Sequence, residues 1–185
     1  MEVISQFSVA DLVVLVTLAG VVLFGFQQGL LRYLLNTIVV LVAFVVASQL
    51  KGLLADWVNS FWEASTPEQQ ELWIFVALWA AGVIGGFVGV RLFYQHTRLP
   101  IPRLADEILG AAMAVVWLAL VYTFSMVVLD TYFLAAGESA SGGPLASLYE
   151  FLNQSVIVGW FRDLVLPAAG FVVGPFVPAQ VQQYL

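Results

Sequence analysis

The sequence predicts an all-α integral membrane protein, with four transmembrane helices and two amphipathic interfacial helices on the outer face. Three observations carry this reading. Only 10% of the 185 residues are charged and 62% are hydrophobic, whereas a soluble domain carries roughly 25% charged residues. Mean hydropathy is +0.97. Four windows each supply the ~20 apolar residues that a membrane helix needs. So few charges cannot cover a water-facing surface, and the size fits a single membrane domain over residues 1–185.

The first span covers about residues 7–26, with Asp11 its only charge. Its end and the start of the next read GFQQGLLR, residues 25–32. Glycine there permits a tight reversal, and the glutamine amides serve backbone groups leaving the helix. The second span covers about 30–50, reaching back past Arg32 if that side chain snorkels. In KGLLADWVNSFWEAS (51–65), Leu53, Leu54, Trp57, Val58, Phe61 and Trp62 recur at helical spacing, away from Lys51, Asp56, Asn59 and Glu63. This is the signature of an interfacial helix. Thr66, Pro67 and Gln69 then form an N-cap, first-turn proline and capping box.

The third span covers about 72–90 and the fourth about 108–129, both without charge. AAGESASGGP (135–144) is a linker by composition. A second interfacial helix is expected over about 145–166, on the stripe Leu145, Leu148, Leu152, Val156 and Trp160. The tail 167–185 is expected to be irregular. Its Pro167, Pro175, Pro178, Gly170 and Gly174 argue against a span over 164–179, because lipid cannot satisfy the backbone groups that proline leaves open.

Basic residues favour the cytoplasmic side of short loops. Arg32 lies between spans one and two, and Arg91, Arg98 and Arg103 lie around the loop between spans three and four. The other side carries only Lys51 and Arg162, among many acids. Both termini are therefore predicted outside, in a multi-pass membrane protein. MEVISQFSVAD has neither a basic region nor a cleavage site, so no removed signal peptide is expected.

The net charge of −6 excludes a nucleic-acid binder. There is no cysteine, and His96 is the single histidine, so no usual metal site can be assembled. No catalytic motif appears, and neither an enzyme nor a cofactor is predicted. Two features remain. Gly82, Gly85, Gly86 and Gly89 in span three, with Gly110 and Ala114 in span four, have the spacing of close helix packing. They predict contact of spans three and four, or a homo-oligomer face. Asn36, Thr37, Ser48, Thr123 and Ser125 are further candidates for interhelical hydrogen bonds. Asp11 is an intramembrane acid, a functional candidate by position. Its shallow depth equally suits a hydrogen-bonding role.

Asp11 ahead of a span that ends in GFQQG resembles the colicin V production protein family. Gly25, Phe26 and Gly29 match the family's turn motif. Gln28 stands where a basic residue is usual, with Arg32 the nearest positive charge. RLADEILGAAMA (103–114) looks like the family's second signature through Leu109 and Gly110, with Ala114 and Leu118 in place of later glycines. LNQSVIVGWFRDLVLP is similar to its outer C-terminal helix, with Ser155 and Pro167 at matching places. The resemblance implies a role in colicin V production or export and in envelope integrity, without established catalysis. Related modules anchor periplasmic serine proteases, a role not expected of these 185 residues.

Two classes of function follow. One is a scaffold or accessory subunit acting through the lipid bilayer and a membrane-protein partner or second copy, in which asparagine at position 11 is tolerated. The other is a small oligomeric transporter or channel that titrates Asp11 and fails with asparagine there.

Overall fold

The computed structural model describes residues 8–60, 67–93, 102–136 and 143–185. The capping residue Thr66, His96, Arg98 and residues 137–142 of the linker lie outside the described residues. Within them the chain forms only helices and turns: α1 (Val9–Gln28), α2 (Leu30–Asn59), α3 (Pro67–Phe93), α4 (Arg103–Ala136), α5 (Pro144–Asn153), α6 (Val156–Val173), a 3-10 turn (Gly174–Phe176) and α7 (Ala179–Gln182). Five helices are long and apolar enough to cross a membrane: α1 to α4, and α6 with its following turn. The chain is a helical membrane protein.

The helices differ from expectation at four places. Lys51 does not end the second span, because α2 runs unbroken for 30 residues. Lys51 is buried, pairs with Glu71 of α3 at 2.7 Å and lies 5.1 Å above the Phe75 ring. A charge met by carboxylate and aromatic face need not leave the helix packing. The segment 51–59 is thus the C-terminal end of α2 and not a separate helix, and Ser60 follows as its C-cap; residues 61–65 are outside the described residues. The fourth span extends to 34 residues, taking in Asp130.

The stretch 145–166 is two helices, broken at Gln154 and Ser155. Ser155 has extended backbone and its Oγ accepts the Val158 N–H at 3.2 Å, which starts α6 as an N-cap. Finally, the tail is not irregular from residue 167. Pro167 lies inside α6, which continues to Val173. Proline there removes one donor and crowds the carbonyl four residues back, and the helix nonetheless resumes beyond it.

α4 is the most buried of the long helices and forms the axis of the bundle. α1 packs along one side of it and α2 along another, α3 lies chiefly on α2, and α6 crosses α4. The α2–α3–α4 core is aromatic. Phe44 stacks on Phe124 with centroids 4.2 Å apart, and Trp79 meets both edge-on at 5.7 Å. Such pairs add to the area buried. Trp79 Nε1–H donates to Ser125 Oγ at 3.4 Å. The other hydroxyls named above behave differently. Thr37 donates to Tyr33 O and Ser48 to Val45 O, each within α2. Thr123 is fully buried.

Candidate functional site

The polar chemistry inside the bundle is organised around three aspartates. Asp11 is fully buried in the first turn of α1. Its Oδ2 accepts the Ser8 N–H at 2.8 Å and the Ser8 hydroxyl at 3.1 Å, while its own N–H donates to Ser8 Oγ, completing a capping box. Its Oδ1 accepts the Ser155 hydroxyl at 2.7 Å and the Ile157 N–H at 3.0 Å. One carboxylate therefore faces the N-termini of two helices, α1 and α6. The open N–H groups and positive dipole ends there favour an anion.

Asp130 is also fully buried, toward the C-terminal end of α4. Arg162 of α6 meets its Oδ2 at 2.7 Å, and the Tyr149 hydroxyl of α5 donates to its Oδ1 at 2.9 Å. Burial first, and then the hydrogen bond to the Asp130 carboxylate, push the Tyr149 phenol up to about 12. The neutral, donating phenol is the form that this surrounding favours.

Asp106 forms the third joint, at the opposite end. The chain reverses on the single residue Gly29, whose φ of 80° belongs to the left-handed region. Gly29 N–H donates to Gly25 O at 3.0 Å, closing α1, and the next residue already starts α2. Asp106 Oδ1 accepts the Leu30 N–H at 3.0 Å, which caps α2 from α4. A side chain at Gly29 would run into the same carboxylate. A Cβ on Gly25 would stand 2.5 Å from the Ala114 Cβ, and one on Gly110 would stand 2.5 Å from Gly25 O. The turn GFQQG and the segment RLADEILG are thus one contact.

The predicted site residues distribute as follows. Gly25, Gly29, Gly110 and Ala114 meet at this joint, so Gly110 and Ala114 serve α1. Arg32 is half-buried on the next turn of α2, while Phe26 is exposed. In α3, Gly82 faces Ala43 and Gly86 faces Val39, both on α2, rather than α4. Gly85 and Gly89 have nothing within 4 Å of an added Cβ and take no part in that packing. Among the described residues no three of His, Cys, Asp or Glu are grouped to hold a metal.

Sequence reasoning missed Asp106, Asp130, Tyr149 and Arg162. A signal existed for two of them. Asp130 and Arg162 are an acid and a base left over beside apolar runs, where each needs a partner. Ser155 was visible only as a matching position.

The sequence profile of the Colicin V production protein family matches residues 10–166. The chain belongs to that family. No curated protein and no solved structure matches it. The match takes in all three aspartate joints of this Colicin V production family member, from Asp11 to Arg162. It ends at residue 166, one position before Pro167.

Proposed function

We propose that the protein is a non-enzymatic scaffold or accessory protein of the bacterial inner membrane. It crosses four times, through α1 to α4, with both termini outside. It serves toxin production or export and envelope maintenance by holding a membrane-protein partner or a second copy. The observation that carries this reading is the engagement of Asp11. Both oxygens already accept two hydrogen bonds each, from Ser8 and from Ser155 and Ile157. A carboxylate so engaged fastens helices. A proton carrier must exchange its proton with a path, and this one is closed by its own partners. The three aspartates together join α1 to α6, α4 to α5 and α6, and α2 to α4.

The test couples function to stability. Asparagine at position 11 supplies one acceptor oxygen and turns an amide NH2 toward the N–H of either Ser8 or Ile157. The geometry therefore revises the tolerance expected from sequence: Asp11→Asn is destabilised by about 1–3 kcal/mol, and Asp11→Leu by more. Complementation of a strain lacking the protein, read as toxin export or envelope-stress survival, should fall in step with the amount of assembled bundle. An Asp11→Asn variant that melts like the parent yet is inactive would favour the transporter and sink the scaffold. Co-purification in gentle detergent then identifies the partner.

A further inference from the structure

We infer that α6 lies within the outer leaflet as a helix parallel to the membrane, seated on the side of the bundle and presenting an apolar stripe to lipid. The inference rests on the four-crossing reading and adds a depth, an orientation and a partner: the acyl chains and headgroups of that leaflet.

The two ends of this segment are fastened at nearly the same height. At its start, Ser155 and Ile157 bind Asp11. Asp11 stands about 14 residues, or ~21 Å of helix rise, above Gly25, which touches α4 at Ala114. At its end, the Gln49 side-chain amide donates to Phe176 O at 2.6 Å. Gln49 stands about 20 residues, or ~30 Å, above Gly29, which adjoins Gly110. Ala114 itself stands four residues, or ~6 Å, above Gly110 on α4, so the ends differ by only ~3 Å in height, although a helix from 155 to 176 is ~30 Å long. A crossing helix would separate them by most of its length.

The middle of α6 is held inside the bundle's membrane-embedded region. Phe161 stacks on Tyr122 at 6.5 Å, and Tyr122 lies ~18 Å of helix rise above Gly110, well within a hydrocarbon core ~30 Å thick. The neighbouring Arg162 reaches Asp130, ~30 Å above Gly110, so this part of α6 sits between the hydrocarbon and its outer edge.

Its outward face agrees. Trp160, Leu164 and Phe171 are 62%, 79% and 85% exposed and fall on one stripe. Asp163, the one exposed acid on α6, adjoins the stripe. A charge there suits a shallow position under the headgroups and not the bilayer centre. Tryptophan at the N-terminal end suits the same depth.

Because the chain has no cysteine, single cysteines test this directly in vesicles of phosphatidylethanolamine and phosphatidylglycerol and in cells. Nitroxides at Trp160→Cys, Leu164→Cys and Phe171→Cys report depth by oxygen against nickel-chelate accessibility. Gln183→Cys, compared with Glu68→Cys and Arg103→Cys, reports the side on which the chain ends. The expected result is lipid exposure at all three α6 positions with depths within about 5 Å, and Gln183 labelled on the side of Glu68. A steady depth progression approaching the ~16 Å rise from residue 160 to 171, with Gln183 on the side of Arg103, overturns both this inference and the four crossings. Water exposure at 160, 164 and 171 with Gln183 on the side of Glu68 overturns the lipid seat alone.

Discussion

Arg162 of α6 and Asp130 of α4 form an ion pair at 2.7 Å whose carboxylate has no solvent exposure. Removing Arg162 leaves the Asp130 charge buried and unpaired, which costs roughly 3–5 kcal/mol, whereas removing Asp130 costs less because Arg162 is 30% exposed. Arg162→Met should lower thermal stability in detergent strongly, and Asp130→Leu less so. The double variant should recover at least half of the combined loss, short of full rescue because the Tyr149 hydroxyl loses its acceptor. Additive losses in the double variant would show that the pair is not coupled.

The two glycine ridges of α3 should respond oppositely. A side chain at Gly86 meets Val39, while Gly85 faces open space. Gly86→Leu should destabilise the bundle by about 1–3 kcal/mol through overpacking. Gly85→Leu should melt like the parent. Size-exclusion chromatography of both separates the two uses of the stripe: a smaller species for Gly85→Leu alone assigns the outer ridge to contact between copies.

Gly29 is the most demanding glycine. A side chain at its positive φ is strained by roughly 1–2 kcal/mol, and it also meets Asp106. Gly29→Ala should therefore lose more stability than Asp106→Ala, which removes a cap at about 0.5–2 kcal/mol. In Gly29→Ala with Asp106→Ala, the steric part disappears and the strain remains. The measurement is melting of the four proteins side by side.

Tyr149 gives a signed pH dependence. Its pKa rises from 10.0 to about 12 on folding. Stability contributed by the neutral phenol is complete below pH 10 and is lost as pH climbs from 10 to about 12. Tyr149→Phe should remove that part of the alkaline loss. If the phenylalanine variant declines as steeply as the parent across this window, the phenol is not the group responsible.

The class of protein and the positions of its first four helices were legible because apolar length and low charge act locally. What stayed hidden depends on partners distant in sequence. Lys51 read as the end of a span because its carboxylate partner, Glu71, sits on the next helix. Pro167 read as tail because periodicity cannot weigh one lost donor against the packing on α4. Gly110 and Ala114 announced close approach, but nothing in their spacing chose α1 over α3. Asp11 was conspicuous from its position alone, yet its second helix begins some 144 residues later.

That separation has a consequence during synthesis. At about 5–20 residues per second, Ser155 leaves the ribosome roughly 7 to 30 seconds after Asp11. Throughout that interval the nascent first helix carries the Asp11 carboxyl with only its Ser8 contacts available. The translocation machinery must hold this helix or allow it to wait near the lipid headgroups. Chains that stop before residue 155 never supply the Ser155 hydroxyl and the Ile157 N–H that complete the Asp11 pairing.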